Sequence, residues 1–384
     1  MKVTFDRMSF LEAFSLVASV TPTRTTKDIL RNVLLSVKDE TATLLGTDGE
    51  VEILVTLKDG VTSDQAGSVV IPVTRGLSIL RESSGDTVEL ELENGDSVNA
   101  LRLKSNRSKF RLPTADPALF PAFQSLKNTC DPDAMIQMKR EDLVDGIGKT
   151  SFAVDTAQRS GRFSTGGLLV QSEGERLAFV ATCGRRIVSN VIDVTSGPKI
   201  TNNTTIVPLK AAKAILVAAK SSSDSVASIH AGSSRFSAAF GDVVIHARLI
   251  EGRFPDWRRM VPEKVSDNSA VVQASEADRS IRQASICTDK ESSGIRFTFG
   301  SNLLVLEASA AETGDSRVEC IAGYAGKESS VILNGKLVAD FCRILDSEDD
   351  IFVSMDGLRS SNGAPMVHLA SGDLSMCIAP MTAG

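Results

Sequence analysis

The stretch Ile250-Glu251-Gly252-Arg253-Phe254-Pro255-Asp256-Trp257-Arg258-Arg259-Met260-Val261-Pro262 holds two of the chain's twelve prolines, its only tryptophan and three arginines. Gly252 permits a turn, and Pro255 fixes φ and offers no backbone donor. The chain therefore leaves one element here in a set geometry and begins another. Trp257 adds a large amphipathic side chain beside Arg258 and Arg259. Two readings stand on these residues alone: a rigid hinge packed against both neighbours, or a junction that also builds part of a site.

On either side of the junction the same paragraph of sequence recurs. An apolar-periodic helix comes first, at Arg7–Val20, Arg140–Phe152 and Glu276–Cys287. A strand pair follows: N-V-L-L-S-V with A-T-L-L-G-T-D-G-E-V-E-I, then G-G-L-L-V-Q with L-A-F-V-A-T-C-G-R-R-I-V, then G-I-R-F-T-F with L-L-V-L-E-A-S. A short strand next leads into a second helix, and alternating strands close the copy, most cleanly at Val88–Glu93 before an Asn94-Gly95 turn. The period is roughly 130 residues, long enough for each copy to be a domain rather than a solenoid unit. The expected boundaries are 1–126, 127–254 and 255–384, and the fold class is α+β with antiparallel sheets. Copies joined by short connectors can continue their sheets edge to edge, with helices inside and strands outside.

Length and composition agree with several domains. The chain has 384 residues, few aromatics and many Val, Ile, Leu, Ser and Thr, which favours β-rich aliphatic cores. The amino terminus interrupts its apolar residues with Asp6, Arg7 and Glu12, so it reads as neither a secretory signal nor a membrane span, and a cytoplasmic protein is expected. Six scattered cysteines with no C-x-x-C pair suit reduced, mostly buried thiols. The net charge of −6 argues against non-specific coating of nucleic acid, yet the helix starting at Lys210 carries Lys210, Lys213 and Lys220 with no acid. A basic helical face can hold a polyanion by its phosphates, or it can simply be solvated.

The threefold repeat, the T-D-G and T-C-G-R-R corners, the E-G-R-F-P-D-W-R-R junction and the A-P-M near the end together resemble the bacterial replicative sliding clamps, the β subunits of DNA polymerase III. The likeness runs through the whole chain. It implies three clamp domains per chain, with antiparallel sheets outside and helices lining a ring formed by a head-to-tail homodimer around duplex DNA. It also implies a non-catalytic processivity factor without cofactor or metal, accessory to a holoenzyme with polymerase and 3'-5' exonuclease activity. The implied partners are double-stranded DNA, a second copy of the chain, the polymerase III alpha subunit, the clamp loader, and other polymerases and repair proteins carrying clamp-binding peptides. No membrane is involved.

The resemblance also implies sites. A peptide-binding pocket falls on Thr182, Gly184, Arg186, Ile187, Pro255, Arg259 and Met260, with Leu337, Met366, Ile378, Pro380 and Met381 completing its wall. Met and Pro suit such a trough because they adapt to Leu, Met or Phe anchors, while arginines would fix the peptide's polar end. DNA contacts fall on Arg24 and Lys210, with Arg75, Arg162 and Lys213 added by the same phosphate chemistry. Ring closure falls on Arg107, Lys109, Phe110 and Leu112, facing Ile286 and Cys287, with Glu312 and Asp315 as the nearest acids. The chain departs from the family at Cys183, where aspartate is usual, at Arg185, where histidine is frequent, at Phe163-Ser164, and in its A-P-M-T-A-G ending.

Other function classes find little support. Gly148-Lys149-Thr150 ends like a phosphate-binding loop, but Leu143 stands where the upstream glycine is required. His230, His246 and His368 lack ligand-spaced partners, Glu50 and Glu52 have nothing to position a metal or water, and no G-x-S-x-G elbow occurs. The alternative from a different class is a clamp paralogue that binds peptides as a scaffold and does not encircle DNA.

Overall fold

The structure is a computed structural model that describes residues 1–93, 100–122, 134–157, 163–267, 269–289, 292–355 and 365–381. The Asn94-Gly95 turn, Cys130 and Arg162 lie outside these residues. The chain divides into two compact units, one of 1–144, 194–199 and 207–249, the other of 145–193, 200–206 and 250–384.

Unit 1 contains helices α1 (Arg7–Ala18), α2 (Val73–Glu82), most of α3 (Arg140–Gly148) and α4 (Leu209–Ser221). Its five-stranded sheet runs in the order 61–65, 2–6, 87–93, 100–105, 108–113. Its eight-stranded sheet runs 136–139, 226–231, 235–240, 243–248, 51–57, 41–47, 32–38, 67–72. The centre of that sheet joins the first and second repeats, with Val243 opposite Val55 and Ala247 opposite Val51. Edge-to-edge continuation is thus realised as an ordinary antiparallel ladder. Phe5 and Phe10 stack at the heart of the first repeat with ring centroids 4.3 Å apart, and Phe14 packs tilted against Phe10 at 6.0 Å.

Unit 2 contains α5 (Ala274–Ala284) and α6 (Gly335–Cys342). Its large sheet includes 167–173, 176–182, 186–193, 374–378, 367–371, 350–354 and 270–273, and again two repeats meet at its centre, where Arg186 lies opposite Ile378 and Ile187 opposite Cys377. A four-stranded sheet of 314–321, 303–310, 294–300 and 329–334 lies beside it in sequence.

The repeat shows in single hydrogen bonds. Where the first helix of each copy starts, Arg7 N–H donates to Asp86 O, Arg140 N–H to Ser225 O and Ala274 N–H to Asp349 O, each at 2.8 Å. Arg7 also reaches Leu80 O and Gly85 O, and Arg140 reaches Ala219 O and Asp224 O, so each guanidinium satisfies carbonyls at the end of the second helix of its own copy. The third copy keeps the backbone bond with alanine in that place. The helices stop earlier than their periodicity suggests. Gly146 and Gly148 weaken the end of α3, whose continuation is a 3-10 turn at Ser151–Ala153, and α5 passes into a 3-10 turn at Ser285–Cys287.

Candidate functional site

The corner at Thr182–Ile187 is built by its own sequence. Gly184 takes φ +81°, which a side chain rarely adopts, and its N–H donates to Thr182 Oγ1 at 3.1 Å. The same hydroxyl donates to Arg186 O at 2.7 Å, and the peptide after it is tied down by Ala379 N–H donating to Arg185 O at 3.0 Å. Met381 N–H in turn donates to Ile332 O at 2.8 Å, fixing the carboxyl-terminal segment against the four-stranded sheet. Between these segments opens a cleft of about 430 Å³ lined by Arg185, Ser292, Asn334, Leu337, Ala379, Pro380 and Met381.

Beneath the same strands an apolar cluster gathers Ile187, Phe254, Trp257, Met366 and Cys377, with Met260 packed against it. Trp257 is 5% exposed, and its Nε1–H donates to Gln171 Oε1 at 2.9 Å. The Arg258 guanidinium stacks on the indole at 4.6 Å and also bonds Gln171 and Ser172 O. The tryptophan of the junction is thus a core residue and not an exposed anchor. Burial pushes the Cys377 thiol up to about 12 and the Cys342 thiol to the same range, so both stay protonated and inert.

Of the residues implied for the pocket, Leu337, Pro380 and Met381 line the cleft, whereas Ile187, Met260 and Met366 belong to the cluster below and Ile378 is fully buried. Pro255 is half-buried at the junction, and Arg259 is exposed and paired with Asp256 at 2.8 Å. Arg186 departs from the expected role. Its guanidinium is buried, donates to Leu337 O and Phe152 O at 2.9 Å each, pairs with Asp340 at 3.0 Å and lies over the Phe152 ring. Those partners hold it inside unit 2, where it positions the α6 backbone rather than a peptide's polar end. Arg185, Ser292, Asn334 and Ala379 were not foreseen as lining residues. Asn334 carried a usable signal, an Asn before Gly335 at a helix start; its Oδ1 accepts from Leu337 N–H at 3.2 Å.

In unit 1 the basic residues are spread over α4 and two loops. Lys213 and Lys220 are exposed on one face of α4, with Val217 54% exposed between them. Lys210, at the start of α4, is engaged: its Nζ donates to Val20 O at 2.8 Å and to Asp48 Oδ2 at 2.5 Å. Burial works against the Asp48 charge, but Lys210 and the N–H groups of Val51 and Glu50 outweigh it, and the carboxyl sits below its ordinary value. A free, phosphate-seeking Lys210 is therefore not what the fold presents. Arg24 is exposed, and Arg75 is exposed on the wall of a groove of about 790 Å³ shared with Thr21, Pro22, Thr23 and Arg31.

The residues implied for ring closure lie on sheet edges or turns. Arg107, Lys109 and Phe110 are exposed at the edge strand Ser108–Pro113 of the five-stranded sheet. Leu112 is 7% exposed and opposite Leu101, so it is a core residue and not a second apolar knob. In unit 2, Ile286 is 74% exposed, Cys287 is half-buried, and Glu312 and Asp315 are exposed near the edge strand Gly314–Ile321. Elsewhere, Lys149 pairs with Asp145 at 2.7 Å and Thr150 Oγ1 donates to Gly146 O, which is helix-end chemistry rather than a phosphate loop. His246 is buried with Nδ1 2.7 Å from Ser237 Oγ. Among the described residues no cluster of three or more His, Cys, Asp or Glu is placed to hold a metal, and no helix is long and apolar enough to cross a membrane.

Three repeats fused through shared antiparallel sheets, with open edges at both kinds of sheet, define the architecture of sliding clamps. Residues 1–124 match the N-terminal domain of the DNA polymerase III beta subunit and residues 137–256 match its central domain; the chain belongs to this family. It is 28% identical over 378 residues to the beta sliding clamp of Pseudomonas aeruginosa, covering 97% of each chain, and 28% identical over 366 residues to that of Escherichia coli K12, covering 94% of each. Among solved structures, a P. aeruginosa sliding clamp bound to griselimycin superposes with a TM-score of 0.85 at 24% identity over all of both chains. The DNA polymerase III beta subunit of Thermotoga maritima gives 0.84 at 19% identity, also over all of both chains, and these two likenesses speak to the fold.

Proposed function

We propose that this chain is a non-catalytic DNA sliding clamp: two copies close head to tail around duplex DNA and tether the replicative polymerase and other DNA-processing proteins through the cleft at Arg185, Leu337 and Met381. The observation that carries the reading is the similarity of the whole chain to beta sliding clamps, which spans 97% of both sequences for the P. aeruginosa protein. Exposed Lys213, Lys220, Arg24 and Arg75 supply the phosphate contacts, and the open edge at Phe110, Arg107 and Lys109 supplies one half of the closing contact. Topological linkage needs few such contacts and no base readout.

The finer parts of the reading follow from it. The domain boundaries are 1–126, 127–254 and 255–384, each beginning just before the first helix of a repeat or at the junction. The partners are the polymerase III alpha subunit, the clamp loader, and other polymerases and repair proteins with clamp-binding peptides, all in the cytoplasm. Polymerase and exonuclease activity reside in those partners. The test is retention on nicked circular DNA after loading, compared with the same DNA cut once. Retention on the circle and rapid loss from the linear form support the clamp. Equal, salt-sensitive retention on both forms overturns it in favour of direct electrostatic binding. The Asp48 carboxylate on Lys210 favours a second reading, a peptide-binding scaffold that does not encircle DNA; no retention on either DNA, with an active loader, selects that reading.

A further inference from the structure

We infer that the groove of the first repeat is a second docking site, framed like the unit 2 cleft but fitted to an acidic, extended peptide segment of a partner protein. Each repeat ties down the strand that leads into its second helix in the same way. Two residues before the helix N-cap, Val70 O accepts from Thr114 Oγ1 at 2.6 Å, Ile206 O from Ile250 N–H at 2.9 Å and Ile332 O from Met381 N–H at 2.8 Å. Thr114, Ile250 and Met381 lie just after the last strand of their respective copies. On the other edge of that strand the N-cap residue pairs with the start of a neighbouring strand, Pro72 with Asn32 in the first repeat and Asn334 with Gly294 in the third. One frame therefore recurs, and side chains decide its use. In the second repeat it is filled, because Lys210, two places after the N-cap Pro208, reaches Val20 O and Asp48. In the third, Leu337, three places after Asn334, lines the cleft. In the first, the same place holds Arg75, which is exposed and has no side-chain hydrogen bond or ion pair among the described residues. The groove's lining all belongs to the first repeat, so the wall that Arg185 supplies in unit 2 is open, and the space is about 790 Å³ against about 430 Å³.

The occupant follows from the lining. Arg75 and Arg31 bring two guanidinium groups to a groove whose sides include half-buried Pro22, Pro72 and Val73. Asp28 pairs with Arg31 only at 3.8 Å, with both side chains largely exposed, so it leaves that cation available. In an extended peptide alternate side chains point the same way. Carboxylates can therefore meet the planar guanidinium forks while an apolar residue between them covers the prolines and the valine. A nucleic-acid strand fits less well, because Asp28 on the same wall repels a continuous run of phosphates. Arg75 also faces duplex phosphate in the clamp reading, so peptide and duplex are alternative occupants of one guanidinium.

The test uses the full-length protein and two labelled peptides, one with a leucine between two glutamates and one with the same leucine between two glutamines, read by fluorescence anisotropy. The glutamate peptide is expected to bind about tenfold more tightly, the scale of two charge-assisted pairs partly screened by solvent, and the gap should narrow as salt rises. Arg75→Ala and Arg31→Ala should each weaken it about threefold. Lys38→Ala, which removes the same charge from the exposed far end of the strand Asn32–Lys38, should not. Equal binding of the two peptides, no binding of either, or a preference that survives both arginine variants overturns the inference. An equal loss in Lys38→Ala overturns it in favour of non-specific charge attraction. Tighter binding of a thymidine oligonucleotide of the same net charge, with the same dependence on the two arginines, overturns it in favour of a nucleic-acid site. Retention on nicked circular DNA is read separately, so the clamp reading and this inference can fail independently.

Discussion

The corners Thr47–Val51 in unit 1 and Thr182–Ile187 in unit 2 share one backbone device. Gly49 and Gly184 take φ +96° and +81°, and each donates its N–H to the hydroxyl of the threonine two residues earlier, at 2.9 and 3.1 Å. Their side chains serve opposite ends. In the first corner Asp48 Oδ1 accepts from Glu50 and Val51 N–H while Oδ2 holds Lys210 of α4, so the acid both caps the turn and fastens a helix. In the second corner Cys183 replaces the acid, and the fastening passes to Arg186, which reaches α6 and Phe152. A repeat can thus conserve the bend of a chain while handing the tie to a residue three places on and of opposite charge. Arg185 is left to face the cleft.

Four measurements break or sharpen that comparison. The largest effect is expected from Arg186→Ala, which takes a buried guanidinium away from the carbonyls of Leu337 and Phe152 and from a partly exposed Asp340 that keeps Arg343 at 3.7 Å; a loss of about 3–4 kcal/mol, the scale of two charge-assisted hydrogen bonds, is expected in urea unfolding. A loss below about 1 kcal/mol would show that the second corner is not fastened by this arginine. Next is a pH effect confined to unit 2. His368 lies opposite Cys377, itself opposite Ile187, and burial lowers its pKa from 6.5 to about 4. The unfolded chain takes up this proton below pH 6.5 and the folded chain does so only near 4, so stability should fall between these values and level off below them. The fall should be on the order of 1–3 kcal/mol and shrink in His368→Gln. An unchanged pH profile in that variant would refute the assignment.

Asp48→Asn comes third. It retains an acceptor for the turn but removes the charge, and should reduce stability by about 2 kcal/mol while raising retention on DNA at low salt through a released Lys210. Retention no higher than wild type would show that Asp48 does not restrain the lysine. The smallest effects are Gly49→Ala and Gly184→Ala. Neither has an atom near the added Cβ, so each should cost only about 1 kcal/mol for the left-handed backbone, and equally. Unequal costs in thermal unfolding would mean that the two corners are not the same device.

Much of this architecture could be read from residues in order. Apolar periodicity located the helices at Arg7, Arg140 and Glu276 to within a turn of their observed starts, and alternation at Val88–Glu93 lies within the strand Thr87–Glu93. These signals are local, because a helix or strand shows its buried face in its own spacing. Side chains with two plausible homes were not legible. Arg186 and Trp257 have polar tips that suit a surface, yet Leu337 O, Phe152 O and Gln171 Oε1 satisfy them inside. Leu112 shares its strand face with Phe110, and each lies opposite a leucine, so only the folded packing shows that the first is covered and the second is not. Lys210 is read as free until Asp48, 162 residues away, is placed beside it.

The chain's one tryptophan and one tyrosine both belong to unit 2, with Trp257 in its apolar cluster and Tyr324 buried with its hydroxyl on Lys327 O. Indole emission is therefore an optical label already installed on one unit, while the far-ultraviolet dichroism of the strands records both. Following the same melt by the two signals separates the unit that carries the cleft from the unit that carries the α4 lysines: coincident curves mean one cooperative block, and displaced curves give the order in which the halves let go.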